Sequence, residues 1–256
     1  MIILKSEDDL KLYRKTGKIA AEILMRLRDY VKPGVSTYEI AKLAEDWIVN
    51  TYDAIPSSIG QYNFQYALNS SLNEVVCHGV PSKEEILHEG DIVNLDITVK
   101  KHGFIADTSR MYELGQVSSE ARQLCKVSYE CLFKGIRQAK VGNTLGDIGF
   151  AVHKHATRHG LSVVREYCGH GIGKEMHEEP QILHFGKKGK GLKLQKGMTF
   201  TIEPMINLGK QEVEHLEDDW TVVTKDRSLS AQWEHTLALS DQGLEILTLR
   251  DEEEGI

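Results

Sequence analysis

Four carboxylates and one histidine are the residues of this 256-residue chain whose types and spacing most favour chemistry. They are Asp96, Asp107, His170, Glu203 and Glu234. Clustered buried acids repel one another and take up protons unless a cation lies between them, so such a cluster implies metal. One imidazole nitrogen among carboxylate oxygens favours Mn, Fe, Co or Zn over calcium. Five ligands predict two divalent ions, about 3.5–4 Å apart, with a bridging hydroxide as the nucleophile of a hydrolysis.

The four acids occupy matched positions in an internal repeat. Residues 87–96 align with residues 194–203, and each segment has a glycine turn before a β-rich stretch that ends on a carboxylate. Asp96 and Glu203 are therefore equivalent, and Asp107 and Glu234 each open the next strand-like segment. The spacing of Asp96 and Asp107 suits two antiparallel strands joined by a turn at residues 101–103, which would point both carboxylates at one place.

Helical signals repeat with the same period. Ser6 with Asp9 predicts a capped helix to about Val31, and Ser36 with Glu39 predicts a second. In the second copy, a helix from Ser119 to about Ala139 is followed by another opened by Thr144 with Asp147, as residues 119–147 show. Strands interleaved with helices and duplicated in this way predict an α+β fold with two similar halves around a shared sheet surface. We expect one catalytic domain, 1–256, with pseudo-repeats at about 7–115 and 119–250.

Composition excludes several classes of protein. No apolar run approaches the roughly 20 residues of a membrane helix, and a net charge of -7 gives nucleic-acid phosphates little to hold. Four cysteines without a CxxC pair, and no charged-then-apolar leader, predict a reducing, cytoplasmic location. The lysines of residues 187–193 are interpreted as a solvated loop, and the acidic tail 251–254 as a frayed terminus.

Glycines and histidines surround the proposed ligands. Residues 169–173 read Gly-His-Gly-Ile-Gly, which lacks the Gly-x-Gly-x-x-Gly spacing of a dinucleotide loop. We expect these glycines to let the backbone pass close to the metal centre while His170 points in. His78 and His177 lie in loops; a lone loop histidine is usually structural or exposed, but the nearby cluster makes these two candidate catalytic groups.

Five segments together match a known family: YVKPGVST at 30–37, NEVVCHG at 73–79, VVREYCGHGIG at 163–173, MTFTIEPM at 198–205, and the stretch 220–250. On these residues the chain resembles bacterial type I methionine aminopeptidases over nearly its whole length. The resemblance implies a pita-bread fold, with an antiparallel sheet covered by helices and a pseudo-two-fold axis. It also implies a cytoplasmic, monomeric enzyme that removes the initiator methionine from nascent polypeptides, plausibly at the ribosome, when the second residue is small.

The resemblance further implies roles for individual residues. Asp96, Asp107 and Glu234 would bridge or chelate two divalent ions (Co, Mn, Fe, Zn or Ni), while His170 and Glu203 would complete one of them. Glu203 would also shuttle the proton of the bridging water. A separate Na or K ion would take oxygens from Asn73, Val75 and Ser230.

The implied substrate site departs from the family pattern. His78 would contact the scissile amide nitrogen and His177 the carbonyl oxygen. The remaining residues expected to contact substrate are Ser58, Gln61, Tyr62, Phe64, Asn69, Met176 and Trp220. Gln61 and Asn69 replace apolar groups and could make the methionine pocket wetter and shift its preference, or Tyr62 could substitute for a missing family tyrosine.

Two other readings are weaker. A proline-directed peptidase of the same architecture would carry an additional N-terminal domain, for which a first helix near residue 6 leaves no room. A non-catalytic peptide-binding relative would be expected to have lost metal ligands, and this chain retains all five.

Overall fold

The computed structural model describes residues 1–253 as an antiparallel α+β assembly. The four α-helices of these residues are α1 (Glu7–Leu27), α2 (Thr37–Asp46), α3 (Ser119–Ile136) and α4 (Leu145–Arg158). A π-helical turn, Trp47–Thr51, continues α2, and short 3-10 turns lie at Gln61–Asn63 and Asp251–Glu253.

Fifteen strands of the described residues form four sheets. In chain order, β1 to β15 are Ile55–Pro56, Leu68–Leu72, Val75–Cys77, Ile92–Lys101, Phe104–Glu113, Ser162–Val163, Gly169–Gly171, Glu178–Ile182, Thr199–Ile202, Met205–Asn207, Val213–His215, Val222–Thr224, Ser230–Gln232, His235–Ser240 and Gly243–Ile246. In the first large sheet, β4 pairs with β5 along one edge and with β1 and β2 along the other. The second large sheet has the strand order β15-β14-β9-β7-β8. Two smaller sheets have the orders β13-β10-β6 and β11-β12-β3.

Each helix pair covers one large sheet. Leu24 of α1 and Ile40 of α2 share a buried cluster with Leu95 and Ile97 of β4. On the other side, Leu132 of α3 and Ile148 of α4 pack against Phe200 and Leu237, as the second cluster shows. Burying each such side chain contributes about 1.5–3 kcal/mol, which holds the helices on the sheets.

The predicted helix starts are confirmed, whereas two predicted ends are too late. Reciprocal capping boxes join Ser6 to Asp9, Ser36 to Glu39 and Thr144 to Asp147, as residues 6–147 show. Helix α1 stops at Leu27 instead of Val31, because the amides of Arg28, Asp29 and Tyr30 each bond to the carbonyl three residues back. Helix α3 stops at Ile136 because the next amides tighten into three-residue turns.

The β4–β5 hairpin is the predicted pair of strands. His102 and Gly103 form its two-residue turn with φ of 54° and 85°, the backbone of a type I′ hairpin turn. Thr98 lies opposite Asp107, and Asp96 lies two residues from Thr98, so both carboxylates point from the same face. Strand β4 continues past Asp96 to Lys101, so this acid sits within a strand and not at its end.

The two large sheets meet along β5 and β14. The Asp107 amide donates to the Thr236 hydroxyl at 3.0 Å, and that hydroxyl donates to the Asp107 carbonyl at 2.7 Å. The Thr108 hydroxyl donates to the Glu234 carbonyl at 2.7 Å, and the Glu234 amide donates to the carbonyl of Ser109 at 3.1 Å. These hydrogen bonds form a seam, and they hold the hairpin that carries Asp96 and Asp107 against the segment that carries Glu234.

Candidate active site and metal centre

A cavity of about 540 Å³ opens at this seam and gathers the predicted site residues. All five proposed ligands, both candidate histidines and all seven other proposed substrate residues line it. Sequence reasoning did not single out the further lining residues Thr98, Tyr167, Cys168, Glu178, Glu179, Gln181 and Met205. Residues from 58 to 234 therefore converge on one place.

Ligand atoms converge on the cavity floor. One atom each of Asp107, His170 and Glu234 lies within 4.8 Å of the other two. His170 Nε2 lies 3.6 Å from Glu203 Oε1. Among the described residues, Asp96 Oδ1 and Glu234 Oε1 are buried without a hydrogen-bond partner. Buried acceptors of this kind are costly unless a cation or donor reaches them, so the donor set fits divalent metal ions.

Burial and crowding raise the pKa values of the carboxyl groups in this cluster. Burial, reinforced by the charge of Asp107, raises the pKa of Glu203 to about 8. Burial raises the pKa of Asp107 to about 6. For Asp96 and Glu234, burial and the neighbouring carboxylates raise the pKa well above its usual range. Without a cation the cluster therefore holds protons, and divalent ions would replace them.

The geometry of His170 suits a ligand nitrogen. Its Nδ1–H donates to the Gly171 carbonyl at 3.0 Å, which leaves Nε2 with a free lone pair toward the acids. Burial lowers the pKa of His170 to about 4, so the ring is neutral at pH 7. The central position in the short strand β7 aims this ring into the cavity.

Three residues that sequence reasoning missed hold Glu203. Thr201 donates its hydroxyl to Oε1 at 2.7 Å, and Gln232 donates to Oε2 at 3.3 Å. The Glu203 amide donates to His184 Nε2 at 3.1 Å, and burial lowers the pKa of His184 to about 3. Thr201 lies two residues before Glu203, a strand spacing that could have identified it; His184 has no comparable signal.

The acidic tail is folded up to Glu253, so the prediction of a frayed terminus is wrong for these residues. Glu253 is 3% exposed, and its carboxylate accepts from Arg250 Nη2 at 2.7 Å. Its other oxygen lies 3.2 Å from the ring of His235, the neighbour of Glu234 in the chain. A buried carboxylate is tolerated here because a buried guanidinium pairs with it. Glu254 lies outside the described residues.

The glycines of residues 169–173 are required by neighbouring chain segments. A Cβ at Gly169 would lie 2.5 Å from the Thr201 carbonyl oxygen, and one at Gly171 would lie 2.2 Å from that of Glu179. At Gly173 a Cβ would meet the Lys5 and Glu178 side chains, each at 2.5 Å. These residues admit close strand pairing beside His170.

The two candidate catalytic histidines both line the cavity. His78 follows β3 with φ of 57°, and its ring lies edge-on to Tyr167 with centroids 5.4 Å apart. His177 lies edge-on to His170 at 4.5 Å. Burial, followed by the charge of His177, lowers the pKa of His78 to about 4, and burial also lowers the pKa of His177. Both rings are therefore neutral near pH 7.

The proposed methionine pocket has apolar walls and polar intrusions. Phe64 is 3% exposed and packs on Trp220 with ring centroids 4.8 Å apart. Ser58 lines the cavity, and its hydroxyl donates to the Tyr66 carbonyl at 2.9 Å. Asn69 Nδ2 is buried without a partner among the described residues.

The mouth of this pocket is formed by residues 61–63. Tyr62 is 80% exposed and has φ of 43°, so its ring lines the entrance and is not buried among the walls. Gln61 lines the cavity beside it. Met176 lines the cavity and packs against the core cluster of α1 and β4.

The residues proposed for a monovalent cation lie outside this cavity. The Ser230 amide donates to the Asn73 carbonyl at 2.9 Å, and Asn73 has φ of 53°. Val75 is two residues further along and pairs with Val223. The three predicted residues therefore belong to neighbouring segments.

Comparison with known proteins gives one consistent answer. The model of metallopeptidase family M24 matches residues 11–241. Methionine aminopeptidase of Escherichia coli strain K12 is 48% identical over 252 residues, which cover 98% of this chain and 96% of the relative. The crystal structure of methionine aminopeptidase from Rickettsia prowazekii is 45% identical with a TM-score of 0.94, covering 97% of this chain and 100% of that chain. A prolidase from Pyrococcus horikoshii OT3, 22% identical with a TM-score of 0.76, shares the fold; the match covers 99% of this chain and 65% of the prolidase.

The chain belongs to metallopeptidase family M24 and, within it, to the methionine aminopeptidases. The predicted pita-bread α+β fold and the predicted class of hydrolase are thereby confirmed. None of the helices in residues 1–253 combines the length and apolar character needed to cross a membrane.

Proposed function

We propose that the protein removes the N-terminal initiator methionine from polypeptides whose second residue is small. The observation that carries the proposal is the convergence of a metal-type donor set, two neutral histidines and an apolar-walled pocket on one cavity. The proposed ligands of two divalent ions are Asp96, Asp107, His170, Glu203 and Glu234. Such ions would supply Lewis acidity for the scissile carbonyl and would activate water at neutral pH. The donor set accepts Co, Mn, Fe, Zn or Ni.

Glu203 is the proposed proton carrier. Thr201 and Gln232 each donate to one of its oxygens, so the carboxylate is held in a single orientation toward the cavity. A carboxyl group in this position can take a proton from an attacking water and return it to the leaving amine.

His78 and His177 are the proposed contacts of the scissile amide. His177 is a neutral donor one ring away from His170, well placed for a carbonyl oxygen that gains charge in the transition state. His78, held edge-on between Tyr167 and Trp220, would contact the amide nitrogen. Because both rings stay neutral, each can donate one hydrogen bond without carrying a full charge.

The methionine side chain would pack against the apolar wall that Phe64 and Trp220 form together. A second candidate function is the same hydrolysis with an altered preference for the first residue. Asn69 Nδ2, which has no partner among the described residues, and the nearby Gln61 favour this alternative, because they offer polar groups where a thioether needs none.

A peptide panel tests both candidates. Metal-loaded protein is incubated with Met-Ala-Ser and with peptides that vary the first residue, using each of several metals. Release of methionine supports the proposal, and a shifted order of first residues supports the alternative. Absence of any cleavage with every metal would refute both.

The Glu203→Gln variant distinguishes a catalyst from a non-catalytic peptide-binding protein. A catalyst should lose turnover yet still bind Met-Ala-Ser, whereas a binding protein should be unaffected. Glu217→Gln, on an exposed acid outside the cavity, is the matched control.

The cellular location, the oligomeric state and the monovalent ion are part of the same proposal. We infer a single-domain monomer that acts on nascent chains in the cytoplasm, at the ribosome, with one Na or K ion near Asn73, Val75 and Ser230. The four free cysteines agree with a reducing compartment.

A further inference from the structure

A second cluster of potential ligands lies on the helices of the second half, outside the cavity. Glu130, His155 and His159 each bring one ligand atom within 4.8 Å of the other two. His155 and His159 are one helical turn apart at the end of α4, and their ring centroids are 4.8 Å apart. His155 Nε2 lies 2.7 Å from Glu130 Oε2 on α3. Two imidazoles and a carboxylate thus face one another across a helix pair.

The scaffold under this cluster is rigid. Cys131 follows Glu130 and Ala156 follows His155, and both belong to one buried cluster between the helices. The Cys131 thiol also donates to the Val152 carbonyl at 3.7 Å. A Cβ at Gly135 would lie 3.0 Å from the Val152 side chain, so α3 and α4 approach closely. Positions 130 and 155 are therefore held by core packing.

We propose that Glu130, His155 and His159 form a separate binding site for a borderline transition-metal ion such as Zn²⁺ or Ni²⁺, which cross-links α3 to α4. Two nitrogens and one oxygen are donors that these ions accept. At metal–ligand distances of about 2.0–2.2 Å, the donor atoms of a tetrahedral site stand roughly 3.3 Å apart. The Glu130–His155 pair must widen slightly, and the exposed ring of His159 must swing inward.

The site should be weaker than the carboxylate-rich centre in the cavity. It offers three protein ligands, leaving the fourth position to water, and only one of these ligands carries a negative charge. The basic side chains of Lys154 and Arg158 lie on the same part of α4 and oppose a further cation. We therefore expect this ion to be the first that is lost on dialysis.

Metal counting with matched histidine variants tests the proposal. The native protein and His159→Gln are equilibrated with excess Zn²⁺, and bound zinc is measured by elemental analysis after equilibrium dialysis. The native protein should retain one equivalent more than the variant. His153→Gln removes a histidine from the same helix outside the cluster, and it should retain the native count.

A stability measurement provides a second readout. Zn²⁺ should raise the Tm of the native protein more than that of His159→Gln or Glu130→Gln, because binding to the folded state alone is stabilising. Equal zinc counts in native protein and His159→Gln would overturn the proposal, as would an equal loss in His153→Gln. Peptidase activity of His159→Gln should equal that of the native protein. Failure of this proposal would therefore leave the proposed function untouched.

Discussion

The ammonium of Lys5 and the carboxylate of Glu178 form an ion pair whose side chains are 3% and 5% exposed. The other Glu178 oxygen accepts the Lys174 amide at 3.0 Å, which closes the loop between β7 and β8. Glu178 directly follows His177. The segment before α1 thus braces the loop that carries a proposed catalytic histidine.

Replacing Lys5 by methionine should destabilise the protein and slow its reaction. The substitution leaves a buried carboxylate unpaired, a change that typically costs about 3–5 kcal/mol. We expect a fall of that size in the free energy of unfolding, measured by denaturant titration. The kcat for Met-Ala-Ser should fall as well, because His177 loses its support.

Two further variants test whether the loss of the Lys5–Glu178 ion pair causes these effects. Lys11→Met removes an exposed ion pair with Asp8 within α1, the helix that follows Lys5, and should change little. The double variant Lys5→Met with Glu178→Gln should recover much of the lost stability, since no charge stays buried alone. If Lys5→Met were as stable as Lys11→Met, the bracing role would be wrong.

His177→Ala should lower kcat by about 10²–10³, the usual effect of losing one donor to a developing oxyanion. Because this contact matters in the transition state, kcat and kcat/KM should fall together, as measured by steady-state kinetics. His102→Asn is the control; His102 occupies a left-handed turn position that asparagine also favours. A decrease confined to KM would argue against the assigned role.

Metal-free protein should lose stability as the pH rises from about 6.5 to about 8. Burial raises the pKa of Asp107 to about 6 and that of Glu203 to about 8. Between the pKa of each group in the unfolded chain and its pKa in the folded protein, the folded state therefore binds more protons than the unfolded chain. Their stabilising contribution is present below about pH 4 and is lost as the pH rises through the folded values. His78 and His170, with pKa values lowered to about 4, act oppositely, but only below about pH 6.5.

Thermal unfolding of chelated and metal-loaded samples measures this effect. The Tm of the chelated protein should fall over this range, and the stabilisation by added Mn²⁺ should grow because binding releases protons. The metal-free Glu203→Gln variant should show a smaller fall in Tm over the same pH range. An unchanged or rising Tm in the chelated native protein would contradict the protonated cluster.

Asn69→Val should favour methionine in the pocket. The substitution removes an amide nitrogen, Asn69 Nδ2, that is buried without a partner in residues 1–253, and such a group costs about 1–3 kcal/mol. We expect kcat/KM for Met-Ala-Ser to rise and the free energy of unfolding to increase. Gln65→Val, on an exposed residue near the pocket, is the control. A loss of kcat/KM would instead indicate that the amide of Asn69 binds the substrate.

Local signals in the sequence predicted the elements that carry the ligands. The hairpin with Asp96 and Asp107 could be predicted because strand side chains alternate and a Gly103 turn needs few residues. The capping boxes at Ser6 and Ser36 located helix starts because they act within one turn. Helix ends were less predictable, since they depend on where the backbone turns back.

Contacts between distant segments could not be predicted in the same way. Lys5 and Glu178 are 173 residues apart, and nothing in either local pattern distinguishes them from exposed charges. Glu253 likewise appeared to belong to a solvated acidic run until Arg250 and His235 were placed beside it. The division into pseudo-repeats stays a prediction, although each proposed half contributes ligands to the same floor.

With the proposed ligand set, the seam between β5 and β14 would make metal affinity a property of the whole chain. The proposed ligands Asp96 and Asp107 belong to the first predicted pseudo-repeat and His170, Glu203 and Glu234 to the second, so neither repeat alone would hold the full set. Any ion shared across the seam gains binding energy only when the halves are docked, and by linkage it stabilises that docking by an equal amount. Metal release and separation of the halves should therefore occur as one cooperative event during unfolding.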